Sequence, residues 1–170
     1  MYYTPNSRYF RAEEFFPPEV ISENKTSSGK VNSSIWRIFD WRVLWTGEKI
    51  REKFGTMVIN DYLWGGVNRY RGFRPWSCIL DTDHYIKTGI AKATFSSFTS
   101  QHCFGRAIDC KFKKYSAEEI REDIRDKEER GLLDNSIYKY ITCVEDGVSW
   151  LHFDTRSWIR PTGGILWVKA

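Results

Sequence analysis

Two short stretches of this chain carry residue types able to hold a metal ion. The first, Ser100-Gln101-His102-Cys103-Phe104-Gly105-Arg106-Ala107-Ile108-Asp109, sets a histidine, a glycine and a carboxylate beside a strand-like run. The second, Trp150-Leu151-His152-Phe153-Asp154, puts another imidazole inside an alternating apolar segment, where a side chain must point to a defined face. Two histidines and one aspartate can ligate zinc and leave its fourth position open, the arrangement of a catalytic rather than a structural site. Metal-assisted hydrolysis is the chemistry expected of His102, Asp109 and His152. Gly105 is expected to allow a sharp bend that lets His102 and Asp109 reach one ion, and Arg106 to be a surface cation. His84 has no partner at ligand spacing and is set aside.

The elements that must position these residues are legible in the hydrophobic pattern. Residues 1–34 read as an aromatic arm that packs its Phe and Tyr residues on the body, followed by a polar surface loop. Residues 35–170 read as a single domain. Apolar residues from Ile35 to Phe54 recur at helical intervals, with Asp40 placed to cap a new helix and Gly55 to end it. Residues 56–60 read as a short buried strand, and 77–99 as a long loop bordering the site. Residues 108–112 alternate as a strand, and Ser116-Ala117-Glu118-Glu119 has the form of a capping box. In the helix that follows, Ile120 and Ile124 form an apolar stripe, while Arg121, Arg125 and their charged neighbours fill a solvent face up to Gly131. Asp146-Gly147 between two apolar runs signals a hairpin, and residues 164–169 a last strand. The sum is an α+β fold with an antiparallel sheet and two main helices.

Composition bounds the alternatives. A chain of 170 residues, 41% hydrophobic with 8 Trp, 9 Tyr and 11 Phe, can furnish one substantial core. A net charge of +4, from 26 basic and 22 acidic residues, would favour an acidic polymer such as a cell-wall glycan only weakly. No basic run is dense enough for a phosphate-tracking groove, so nucleic acid is not an expected partner. No stretch approaches the roughly 18 apolar residues of a membrane span, and the first residues lack the pattern of a signal peptide. Cys78, Cys103, Cys110 and Cys143 contain no C-x-x-C pair and read as buried free thiols. Cys103 or Cys110 is close enough to offer a thiolate ligand, although strand alternation turns Cys110 away from the side of Asp109.

Ser100, His102, Gly105, Ala107 and Asp109 match every fixed position of the pattern Ser-x-His-x-x-Gly-x-Ala-x-Asp, and Trp150 and His152 match a later Trp-x-His. On these residues the chain resembles the zinc peptidases of the D-alanyl-D-alanine carboxypeptidase and phage endolysin group, whose Hedgehog/DD-peptidase fold also occurs in the amino-terminal Hedgehog signalling domain. Arg71-Gly72-Phe73-Arg74-Pro75 is similar to the group's Gly-Tyr/Phe-Arg-Ser segment, which gives Arg74 the role of polarising or anchoring substrate. The aromatic arm, the Phe39-Asp40 helix start, Ile59-Asn60 before Gly65-Gly66, and Glu145-Asp146-Gly147 are also similar to small phage and prophage members, so the likeness spans most of the chain. The resemblance implies a Zn2+-dependent hydrolase of peptide bonds in peptidoglycan stem peptides or cross-links. It further implies synthesis in a host bacterial cytoplasm without a signal peptide, and action at the cell wall or as a virion component beside other phage proteins.

The departure from the pattern concerns the general base. Many of these peptidases carry a glutamate three residues before the second histidine, where this chain has Ser149, a poor base near neutral pH. Glu145 is the nearest glutamate. In a two-residue turn around Asp146-Gly147 it would lie opposite Val148, four residues and roughly 13 Å along the strand from His152. Asp146 and Asp154 are the other candidates, and Asp154, two residues beyond His152, is also placed to orient a ligand. Two functions follow: an active peptidase using Glu145 as base, or a zinc-retaining, non-catalytic module that binds cell wall or serves in a virion or tail.

Overall fold

The computed structural model describes residues 9–75, 100–160 and 163–169. The expected loop at 77–99, with His84 and Cys78, lies outside them. Among the described residues, three α-helices, α1 (Pro18–Glu23), α2 (Trp41–Phe54) and α3 (Ala117–Glu129), accompany five strands: β1 (Met57–Val58), β2 (Ala107–Phe112), β3 (Cys143–Asp146), β4 (Leu151–Asp154) and β5 (Leu166–Lys169). The strands form one sheet in the order β1-β2-β4-β3-β5. The α+β class expected from the pattern is what forms.

Local chemistry sets the helices. Asp40 caps α2 by accepting the Arg42 N–H, and Gly55 ends it at φ 82. The helical spacing before Asp40 is realised as a 3-10 turn at Ser33–Ile38, so α2 starts at the cap rather than at Ile35. At α3, Ser116 and Glu119 form the reciprocal capping box, each side chain bonded to the other's backbone N–H. Val43, Leu44 and Ile50 of α2 and Ile120 and Ile124 of α3 are buried in one cluster with Ile108, Val144, Leu151 and Phe153 from alternate strand positions. Phe15 and Phe16 from the N-terminal segment lie fully buried in the same cluster, edge-on to Trp36 and Phe39. Burial of each ring contributes roughly 1.5–3 kcal/mol.

Two sequence expectations are corrected. The sheet is mixed, because β5 pairs parallel with β3. Strands β3, β4 and β5 reverse direction in turn, but the outer edge of β4 is already taken by β2, so β5 passes the start of β3 and pairs on its far side. Arg121, expected on the solvent face of α3, is only 3% exposed. Its guanidinium donates to the carbonyls of Val148 and Trp150, at 2.8 and 3.0 Å, and to Glu118.

Candidate metal centre

The pull of Arg121 on the β3–β4 connection decides the register at the site. Arg125 adds a bond to Asp146 at 2.9 Å, so the loop is drawn onto α3 from two sides. The expected two-residue turn does not form; β3 ends at Asp146 and β4 begins at Leu151. In this wider connection Glu145 pairs with His152 rather than with Val148, and His152 pairs in turn with Asp109. Directly opposed residues present their side chains on one face of a sheet. Asp109, His152 and Glu145 therefore form a row across three adjacent strands, with strand centres about 4.8 Å apart.

His102 joins this row from outside the sheet. It sits in a 3-10 turn, Gln101–Phe104, that ends at Gly105 with φ 62. A Cβ at Gly105 would fall 2.2 Å from the Ile38 carbonyl oxygen, so the bend that returns the chain from His102 to β2 accepts only glycine. A strap at Arg71–Arg74 fastens both ends of the motif. The Asp109 N–H donates to Arg71 O, the Arg74 N–H donates to His102 O, and Nδ1–H of His102 donates to Gly72 O at 2.8 Å. A carbonyl can only accept, so Nδ1 of His102 carries a hydrogen and Nε2 is the ring atom turned towards the cluster.

Ligand atoms of His102, Asp109 and His152 lie within 4.8 Å of one another, and these three residues could hold a metal ion. His102 Nε2 stands 3.3 Å from Asp109 Oδ2, and His152 Nδ1 stands 2.6 Å from Asp109 Oδ1. Two ligands on a tetrahedral ion at about 2.0–2.1 Å are separated by roughly 3.3 Å, so the first spacing suits a shared ion. The second is shorter because a proton bridges the pair: burial alone would lower the His152 pKa, but Asp109 and Asp154 outweigh it and raise it to about 10. Asp109, although desolvated in a largely buried position, is held well below the usual carboxylate range by His102 and His152. The other nitrogen of His152, Nε2, faces Asp154 Oδ2 at 3.5 Å. Fully buried Asp154 is gripped by the Arg156 guanidinium, at 2.5 Å, and by the Arg156 backbone N–H. Each histidine thus has one nitrogen turned to the cluster and the other to an oxygen that orients the ring, which matches the way ligating histidines are supported.

The remaining candidates separate cleanly. Asp146 lies one residue along from Glu145 and so on the opposite face, bonded to Arg125 and 3.6 Å from Arg121; it does not face the row. Asp154 shares the face of His152, but its oxygens are occupied by Arg156. Glu145 is partly buried beside His152 and takes part in no hydrogen bond or ion pair with the described residues. Arg74 follows the carbonyl that orients His102 by two residues, and its buried Nε has no hydrogen-bond partner. Cys103, Cys110 and Cys143 are buried thiols outside any disulfide. Burial raises all three pKa values, that of Cys143 to about 12, which keeps them protonated and poor ligands. Cys110 donates to Leu151 O on the face away from Asp109. Gly72 stood in the sequence only as the glycine of the Arg74 segment, with no sign of its carbonyl's role; Arg156 carried no chemical signal, and Arg121 carried a misleading one. Among the described residues no helix is long and apolar enough to cross a membrane. Comparison with family models, curated proteins and solved structures yields no match to this chain.

Proposed function

We propose that the chain is a zinc-dependent hydrolase of peptide bonds in bacterial peptidoglycan, a carboxypeptidase or endopeptidase of phage or prophage type. The observation that carries the reading is the row Asp109–His152–Glu145, which places an unpaired carboxylate beside a His-Asp-His cluster. His102 Nε2, an Asp109 oxygen and His152 Nδ1 would hold the ion, and this borderline nitrogen and oxygen set suits Zn2+. A zinc ion there supplies Lewis acidity and makes water more acidic. Glu145 accepts the proton of the attacking water and returns it to the departing amine nitrogen, so one carboxylate serves both halves of the reaction. Arg74 offers an unsatisfied buried guanidinium N–H to a substrate carboxylate or carbonyl, a pairing that desolvation strengthens. Asp154 and Arg156 keep the His152 ring from turning while charge moves through the site.

Metal analysis of the purified protein, combined with a peptidoglycan digest with and without chelator, tests the proposal. One zinc per chain and chelator-sensitive release of cleaved muropeptides are expected. Zinc at one per chain with no cleavage would instead support a cell-wall-binding or virion module. Absence of zinc, with His102→Ala leaving stability unchanged, would refute the metal site itself.

A further inference from the structure

At the end of β3 and β4 away from their connection lies a groove of about 350 Å³, within the size range of small-ligand sites. Its walls are aromatic. Tyr140 packs edge-on to Trp41 within the wall, at 4.8 Å between ring centres, and to Trp45 outside the lining, at 5.1 Å. Arg42 covers one face of the Trp158 indole at 4.1 Å, and the other face is open, since Trp158 is 78% exposed. Ile159 beside it is 83% exposed. Large apolar side chains gathered on a groove in this way mark a binding surface more often than chance exposure does.

The charges of the groove select among ligands that stack on aromatic rings. Arg42 is paired with Asp40 and Arg160 with Asp134, each at 2.6 Å. The Lys139 ammonium lies over the rings of Trp45 and Tyr140, at 4.6 and 4.8 Å. A polyphosphate strand needs unpaired Lys and Arg to replace its counterions, and these cations are already engaged. The open indole face of Trp158 and the rigid paired donors and acceptors match instead the flat C–H face and the hydroxyls of a sugar ring. Ile159 offers an apolar seat for an acetamido methyl group.

We propose that this groove binds a glycan strand of N-acetylated amino sugars. The choice of glycan rests on the peptidoglycan reading above and extends it from the cleaved peptide to the polymer bearing it. Position supports the link. Arg42 donates to Thr155 O and Ser157 O just beyond Asp154, and the Asp40 N–H donates to Gly105 O beside His102. The groove wall is therefore bonded to both segments that carry the histidines. Thr155 is three residues from His152, roughly 10 Å along the strand, a span that a short peptide attached to a bound sugar can bridge.

Co-sedimentation of the full chain with insoluble chitin, with calorimetry on the N-acetylglucosamine tetramer, tests the proposal. Wild-type protein should bind equally with and without chelator, because the groove does not use the metal cluster. Trp158→Ala, an exposed change that leaves the core intact, should weaken binding by about five- to tenfold, while Trp64→Ala, in an exposed 3-10 turn that does not line the groove, should not. Failure of the wild type to bind, equal binding by Trp158→Ala, or preference for single-stranded DNA over the sugar would overturn the groove assignment. Binding without peptide cleavage would leave the groove standing and count against the peptidase reading alone.

Discussion

Zinc binding should release about one proton from His152 at pH 8. With a folded-state pKa of about 10, His152 is charged at that pH, clamped between Asp109 and Asp154, and must lose its proton before Nδ1 can take a metal. An ordinary imidazole, with a pKa near 6.5, would release only about 0.03 proton there. The same shift makes the metal-free fold pH-dependent. A pKa raised from 6.5 stabilises the fold fully below pH 6.5 and loses that stability as pH rises towards 10. At about 1.4 kcal/mol per pH unit the whole effect is roughly 3–5 kcal/mol; the depression of Asp109, caused by His102 as well as His152, acts only below the ordinary carboxylate pKa and adds no slope here. Urea melts of chelator-treated protein should therefore lose about 1 kcal/mol per unit between pH 7 and 7.5, before the unfolded-state thiols, with pKa values of about 8.5, add a slope of the same sign. The slope should vanish in His152→Gln, and the stabilisation given by zinc should grow as pH rises. Proton release is read by calorimetry in two buffers of different ionisation enthalpy. A release below about 0.3 proton, or a flat stability profile in wild type, would refute the clamped imidazolium and the ligand geometry built on it.

Three substitutions probe the surrounding frame. Glu145→Gln should keep zinc at one per chain and lower peptide cleavage by about 10²–10⁴-fold; unchanged cleavage would remove Glu145 from the reaction. Arg121→Ala strips charged donors from the Val148 and Trp150 carbonyls and should cost about 2–4 kcal/mol in urea denaturation, with lysine a poor substitute because one ammonium does not reproduce the guanidinium fork. A loss under about 0.5 kcal/mol would mean that the loop is held by other contacts. Gly72→Ala would set a Cβ 2.3 Å from Phe15 O; the displaced strap should weaken zinc affinity by about 10–100-fold in competition with a chromophoric chelator, through loss of the carbonyl that orients His102.

How far the sequence exposes such a site depends on which distances are local. His102, Gly105 and Asp109 lie within eight consecutive positions, and one glycine bend with one alternating strand brings their side chains together, so their grouping is readable from types and spacing. His152 is readable for the same reason, because alternation assigns its face. Glu145 is not, since its position depends on how many residues the β3–β4 connection consumes. Asp146-Gly147 has the form of a tight turn, and by that rule Glu145 falls far from the cluster. What overrides the rule is Arg121, a residue that helical periodicity alone assigns to solvent and that instead binds two loop carbonyls. The order of β5 has a similar origin: alternation of direction is local, but the occupied edge of β4 is a property of the assembled sheet. A glutamate at Ser149 would lie in the connection, with its placement set by the conformation of that loop. Glu145 lies in β3, and its placement follows from the strand pairing that also places His152 and Asp109. The candidate base and two of the candidate ligands thus depend on a single register, and whatever shifts that register should disturb metal binding and catalysis together.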